Sequence, residues 1–558
     1  VDDEQLRQAA RTWIAGDPDP ETRGQLAAAL EADDLVELRA AVAHPLAFGT
    51  AGLRGRVGPG PGRMNRATVI RTTWALARHL DAVAAPDEPV VVSYDARPDS
   101  ARFAADVVGV LVAAGRPVIG WDEPTPTPLV AWAARETGAA GAVVVTASHN
   151  PPQDNGYKVY SGDGIQIVPP TDTAIAGLMA RAPAAVDIAV DDDPWEHALV
   201  EKLGRYARGV YLDQVSGLVV GDEPRGDLRL VHTSLHGVGG ATILAALERI
   251  GVTDVHVVAE QHEPDGTFPT VAFPNPEEPG ALDLAFALAT RRDADLVIAN
   301  DPDTDRLAVG LPEAGGWRRL SGNEVAVLLA DDLLQRAGDR SVVATSIVTS
   351  PWVAAVAAHH GARFEATLTG FKWIWHALRH LELEGWTPVL GAEEALGYSV
   401  GGIVRDKDGI GAAVALVDLA RRLAADGSSL GDRLTELRER DGAWVAAQVS
   451  AVRDGPDGPA LIAGALDRVR DTPPTDLAGV AVTSVRDLSR GQDDRPMWLP
   501  DSDLIELTLR GGRALLRPSG TEPKCKAYVD LVAPGDPGEG RALAERVGHA
   551  LLAAAGLG

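Results

Sequence analysis

The 558-residue sequence holds a single cysteine, Cys525, so no internal disulfide can form, a usage that fits a reducing compartment. Basic residues are scarce: 52 Lys and Arg stand against 79 Asp and Glu, for a formal charge of −27 at pH 7. That balance argues against nucleic acid and against anionic membrane surfaces as partners. An anionic small ligand must therefore meet locally clustered Lys and Arg. No apolar run approaches the ~18 residues of a membrane span, so none is expected. The first sixteen residues are acidic and amphipathic, which is not the pattern of a signal peptide, and the expected location is cytoplasmic. Short-period repeats and low-complexity tracts are lacking too.

What is present reads as a globular protein, 45% hydrophobic and long enough for roughly three or four domains. Leu6, Ala9, Ala10, Trp13 and Ile14 share one face of a first helix. Gly16-Asp17-Pro18-Asp19-Pro20 breaks it before a second helix expected around Leu26 to Val42. From there on, short β-branched runs alternate with Ala/Leu-rich helical stretches. The runs include Pro89–Tyr94, Gly141–Val145, Leu296–Ala299 and Pro388–Gly391; the helices include Ser100–Ala114, Gly240–Ile250 and Asn323–Ala337. This alternation predicts an α/β fold with buried sheets. The tail differs, because two strands flanking Gly511-Gly512 read as a hairpin and the last domain as α+β. Expected domains are 1–205, 206–320, 321–440 and 441–558.

Five polar loops, most of them at the end of an apolar strand, carry the candidate chemistry, as sites in open α/β sheets do. In Thr146-Ala147-Ser148-His149-Asn150-Pro151, Ser148 can carry a phosphoryl group, with His149, Lys158 and Arg54 available to neutralise charge or move protons. In Asp301-Pro302-Asp303-Thr304-Asp305-Arg306, carboxylates at i, i+2 and i+4 converge on one side of an extended loop and suit a hard cation. An EF-hand is excluded, since Arg306 stands where Gly is required and Pro312 where Glu is. A haloacid-dehalogenase nucleophile is disfavoured by Asp305 in the fifth position of that motif. Glu393, in Gly391-Ala392-Glu393-Glu394, suits vicinal sugar hydroxyls, and Arg405 and Lys407 follow shortly after. Thr367-Leu368-Thr369-Gly370-Phe371-Lys372 is a Gly loop ending in Lys that can bind phosphate. Arg517-Pro518-Ser519-Gly520-Thr521 offers a guanidinium fork, hydroxyls and backbone N–H groups to a phosphate.

In this order, these loops resemble those of the α-D-phosphohexomutase superfamily, the phosphoglucomutase/phosphomannomutase group, over nearly the whole chain. The resemblance implies four domains around a central cleft, three related α/β domains and a smaller C-terminal one. It implies that Ser148 is the phosphoserine, that Asp301, Asp303 and Asp305 hold Mg²⁺, and that the metal also touches the serine phosphate. Arg54, His149 and Lys158 match positions around the transferring phosphoryl, with Lys158 or His149 the proton carrier. Arg306, Thr369, Gly370, Lys372, Glu393, Arg405 and Lys407 match sugar or substrate-phosphate contacts; Arg517, Ser519, Gly520 and Thr521 match the distal phosphate grip. The implied reaction interconverts sugar 1-phosphate and 6-phosphate through a covalent phosphate on Ser148, with sugar 1,6-bisphosphate as activator.

One position departs from the hexose pattern. Hexose-specific members carry Glu-x-Ser in the sugar loop, and this chain has Ala395 in place of the serine. With the helical N-terminal extension, that loop resembles the branch that includes phosphopentomutases. Glucose or mannose phosphate remains the first expectation, and ribose 1-phosphate/5-phosphate the alternative. A bisphosphate synthase, a phosphosugar phosphatase and a non-catalytic phosphosugar-binding regulator rank below both. The oligomeric state is not fixed by the sequence.

Overall fold

A computed structural model describes residues 2–48, 52–453, 458–519, 524–533 and 535–558. The chain forms two compact units, Val1–Leu320 with Ala395–Asp426, and Ser321–Glu394 with Gly427–Gly558. Residues Ala395–Asp426 thus belong with the first unit, although they lie inside the span expected for a third domain.

In the first unit, the uninterrupted apolar runs become fully buried strands, as their lack of alternation requires. Val90–Tyr94 lies between Val118–Gly120 and Gly141–Val145, all parallel. Asp154–Ser161 then pairs antiparallel with Gly141–Val145, and Leu53–Arg56 pairs antiparallel with it in turn. A second sheet repeats the order. Leu230–Thr233 lies between Val255–Val257 and Leu296–Ala299, followed by antiparallel Ala308–Glu313 and Gly316–Arg319. Helices Arg66–Val83, Ser100–Ala113 and Thr127–Glu136 accompany the first sheet, and Gly240–Arg249 and Asp283–Arg292 the second.

The second unit opens with the same arrangement again: Ser341–Ser346 lies between Arg363–Thr367 and Thr387–Glu393, all parallel. A capping box between Ser321 and Glu324 starts its helix Gly322–Arg336. The tail is a separate antiparallel sheet of Trp444–Val452, Lys524–Val532, Gly512–Pro518, Ile505–Leu509 and Val480–Asp487. Helices Gly458–Asp471 and Pro537–Ala554 contribute Ala465, Leu466, Val547 and Leu551 to the core of this α+β layer. The architecture is therefore multi-domain α/β. Among the described residues, no helix is long and apolar enough to cross a membrane.

Two local expectations are corrected. The helix expected around Leu26 to Val42 is two, Pro20–Glu31 and Leu35–Val42. Asp33 turns left-handed at φ 50°, and the Asp34 carboxylate restarts the helix by accepting from the Glu37 N–H at 3.0 Å. The hairpin loop is Arg510-Gly511, not Gly511-Gly512, because Gly512 already pairs with Leu509. Gly511 supplies the positive φ of 86°. Gly512 serves a different need: a Cβ there would lie 2.0 Å from the Asp530 carbonyl oxygen.

Candidate active site

The first unit gathers most of the candidate residues. Strand Gly141–Val145 ends in a loop where Ser148 takes φ 52°, a left-handed conformation rare outside glycine. Two bonds hold that loop start: the Ser148 N–H donates to Thr146 Oγ1 at 2.8 Å, and Thr146 Oγ1 donates to Asp95 Oδ2 at 2.6 Å. The Ser148 hydroxyl is buried and donates to Asp301 Oδ2 at 2.9 Å; His149 Nδ1 lies 3.2 Å from Ser148 Oγ. Burial, then Arg306 and Arg54, hold the His149 pKa well below the usual imidazole value. Its ring is therefore neutral at pH 7.

Strand Leu296–Ala299 delivers the acidic loop. The Asn300 amide donates to the Arg306 carbonyl at 2.7 Å and closes the turn, while Thr304 takes φ 65°. A Cβ on Gly409 would lie 2.3 Å from the Arg306 carbonyl oxygen, so only glycine lets that segment approach. One ligand oxygen from each of Asp301, Asp303 and Asp305 lies within 4.8 Å of the others, and all three residues are buried. Burial and the other two carboxylates push Asp301 well above the carboxylate range. Burial opposes ionisation of Asp303 and Asp305 as well, but Lys158, joined by Thr127 at Asp303 and by Lys407 and Arg306 at Asp305, holds both below their ordinary value.

The cations converge on this trio. Lys158 Nζ, on strand Asp154–Ser161, sits 2.6 Å from Asp303 Oδ2 and 2.9 Å from Asp305 Oδ2. Burial disfavours its charge, yet the two carboxylates prevail and raise its pKa. Lys407 Nζ is 3.3 Å from Asp305 Oδ2, and Arg306 Nε is 3.9 Å from both Asp301 and Asp305. Arg54 is held lower by burial, against the pull of Asp303 and Asp305. Even so, Asp303 Oδ1 and Asp305 Oδ1 are buried without a hydrogen-bond partner among the described residues. Orphaned carboxylate oxygens in a buried trio are what a divalent cation with oxygen ligands satisfies. The residues fit such an ion.

Arg405 and Lys407 belong to this unit, and both are buried. Thr369, Gly370 and Lys372 stand in the second unit at the start of helix Phe371–Leu383, and Glu393 ends strand Thr387–Glu393. Glu394 is a loop anchor instead, accepting from Ser346 Oγ at 2.9 Å. Arg517 lies on strand Gly512–Pro518 and forms no ion pair among the described residues, and Ser519 follows it. Gly520 and Thr521 lie outside the described residues.

The sequence reading missed the residues that hold these groups. Thr127, at the start of helix Thr127–Glu136, donates from Oγ1 to Asp303 Oδ2 at 2.7 Å and from N–H to the Asp303 carbonyl at 3.0 Å. Asp406 accepts from Tyr160 Oη at 2.8 Å and Gln166 Nε2 at 2.6 Å, fixing the segment that bears Arg405 and Lys407. Asp95 and Arg97 close the carboxyl end of the central strand. That position beyond a buried strand was the signal available for Asp95 and Arg97.

Comparison with known proteins agrees with this geometry. Residues 45–185, 210–314 and 321–440 match, in order, α/β/α domains I, II and III of phosphoglucomutase/phosphomannomutase. A Haemophilus influenzae protein named "Probable phosphomannomutase" is 40% identical, covering 86% of this chain and 96% of its own length. The phosphopentomutase of Homo sapiens is 34% identical over 96% of this chain and 92% of its own. A phosphoglucomutase/phosphomannomutase family protein of Burkholderia thailandensis shares the fold at TM-score 0.67 and 20% identity, covering 91% of this chain and 97% of that one. Three family domains in sequence, and relatives aligned along most of the chain, place this protein in the α-D-phosphohexomutase superfamily of phosphosugar mutases, within the phosphoglucomutase/phosphomannomutase group and its phosphopentomutase relatives.

Proposed function

We propose that the protein interconverts the 1-phosphate and 6-phosphate of glucose or mannose by way of a phosphate carried on Ser148. The observation that carries this reading is the buried Ser148 hydroxyl 2.9 Å from Asp301, in a pocket of neutralising side chains. In one half-reaction a sugar hydroxyl oxygen bonds to the serine phosphorus as the P–Oγ bond breaks, giving a sugar bisphosphate. That intermediate turns around, and its other phosphate returns to Ser148. The sugar hydroxyl must lose a proton and Ser148 Oγ must regain one. His149, neutral and 3.2 Å from Oγ, is placed to take the Ser148 proton when Oγ attacks the returning phosphate and, so charged, to give it back when the P–Oγ bond breaks, whereas the Lys158 ammonium is engaged by Asp303 and Asp305.

Asp301, Asp303 and Asp305 would hold Mg²⁺, which supplies charge neutralisation for a transferring phosphoryl group. Arg54 adds positive charge beside that site. Arg306, Arg405 and Lys407 in the first unit, and Thr369, Gly370, Lys372 and Glu393 in the second, are assigned to the sugar and its phosphate. Arg517, Ser519, Gly520 and Thr521 are assigned to the distal phosphate. A four-domain division at 1–205, 206–320, 321–440 and 441–558 around a cleft accompanies this reading. Replacing Arg517 with alanine then raises KM by ~10- to 100-fold, the range of one charge-assisted hydrogen bond, with kcat little changed. Steady-state kinetics check this, and a fall in kcat at constant KM would contradict it.

A second reading, a phosphopentomutase, is favoured by Ala395 and by the longer reach of the human phosphopentomutase match. Loss of one hydroxyl contact weakens discrimination for a hexose. A panel of α-glucose, α-mannose and α-ribose 1-phosphates, each with Mg²⁺ and the catalytic bisphosphate, followed by ³¹P NMR, decides. Conversion of the hexoses in preference sustains the first reading; preference for ribose 1-phosphate replaces it with the second. Stoichiometric release of free phosphate would instead mark a phosphatase.

A further inference from the structure

We propose that Arg97 is the positioning residue of the reactive-serine loop, holding it in the one conformation that presents Ser148 Oγ for transfer. This rests on the reading of Ser148 as the phosphoryl carrier. The side chain is buried, and its guanidinium is surrounded by the loop's own backbone. One terminal nitrogen donates to the carbonyls of Ser148 at 2.7 Å and Asn150 at 2.6 Å. The other donates to those of Pro151 at 2.6 Å and Asp154 at 2.9 Å. Nε donates to Asp95 Oδ2 at 3.1 Å, and Phe268 covers the guanidinium with its ring centroid 5.1 Å away.

Four carbonyl oxygens aimed at one point repel one another, and no local turn pattern would hold them there. A planar cation with five donors resolves that, and a lysine cannot, since three donors on one nitrogen do not span four carbonyls. The same arrangement explains how Ser148 can keep φ 52°: strained backbone persists where its surroundings overdetermine it. Asp95 completes the hold from the other side. It accepts from Arg97 Nε and from Thr146 Oγ1, which in turn accepts the Ser148 N–H. Arg97 therefore fixes the carbonyl side of the loop while Asp95, through Thr146, fixes its amide side. Catalysis by positioning is sensitive to such a hold, because a displacement of ~1 Å costs ~10²-fold in rate.

The test uses Arg97→Lys, which keeps a positive charge beside buried Asp95, together with Arg97→Ala. Amide hydrogen exchange over residues 146–156 is read alongside melting temperature and the kinetics of α-glucose 1-phosphate with glucose 1,6-bisphosphate, or of α-ribose 1-phosphate with its bisphosphate if the panel favours it. In Arg97→Lys, loop amides exchange faster while the rest of the domain keeps its protection; kcat falls ~10²-fold and KM changes little. Added guanidinium restores part of the activity of Arg97→Ala. Wild-type loop exchange, or wild-type kcat, in Arg97→Lys overturns the proposal. So does a uniform loss of protection across the domain, which would mark a merely structural residue. Failure of the Ser148 reading is seen separately, as full turnover in Ser148→Ala, whatever the Arg97 variants do.

Discussion

Replacing Ser148 with alanine abolishes turnover, by ~10⁴-fold or more, and leaves a folded protein. No other hydroxyl in the loop occupies its place: Thr146 Oγ1 is committed to Asp95 and to the Ser148 N–H. The structural cost is small by comparison. The hydroxyl makes one hydrogen bond to Asp301 and stands beside His149, and losing one such bond costs about 1 kcal/mol of a stability of about 5–15 kcal/mol. Alanine at φ 52° meets the same backbone strain that serine already bears, so the loop gains no new conflict. Circular dichroism and melting temperature check the fold, and ³¹P NMR checks the turnover. Near-normal mutase activity would remove Ser148 from the mechanism.

The second large effect belongs to Asp301. Changing it to asparagine lowers kcat by ~10²- to 10³-fold while leaving the metal-free melting temperature equal or higher. The asymmetry follows from the site. Burial, Asp305 and Asp303 all disfavour the Asp301 charge, so an uncharged isostere relieves repulsion. Asparagine can still accept from the Arg306 N–H, which lies 3.0 Å from Oδ1. What it removes is a third of the anionic charge available to a divalent ion. A ligand bound only by the folded state stabilises it by about 2.7 kcal/mol at one hundred times its dissociation constant. Wild-type protein should therefore melt higher when Mg²⁺ is added, and Asp301→Asn should not. Calorimetry with and without Mg²⁺ measures this, and an unchanged Mg²⁺ response in the variant would contradict the assignment of Asp301 as a ligand.

Much of this was legible in the sequence because sheet chemistry is written locally. Gly141–Val145 and Leu296–Ala299 are apolar without interruption, and the polar residues that follow them fall at the carboxyl ends of buried strands. Ser148 and the three aspartates announce themselves there. The helix break at Asp33 was missed because aspartate in a helical pattern is unremarkable until its φ is known. Gly511 and Gly512 looked alike as letters but answer different needs, one a positive φ and the other the close approach of the Asp530 carbonyl. Arg97, Thr127 and Asp406 left still fainter traces. They act on residues 51, 176 and 240 positions away, through Ser148, Asp303 and Gln166 respectively, and long-range partners of that kind have no spacing to read.

The central claim is that Ser148 carries the phosphate, and direct detection tests it. Protein incubated with ³²P-labelled sugar 1,6-bisphosphate, freed of ligand, digested and mapped by mass spectrometry should carry label on the peptide containing Ser148. Adding unlabelled sugar monophosphate should then move that label into sugar bisphosphate. Label absent from Ser148 while the protein still turns over, or label that leaves only as free phosphate, would contradict the account.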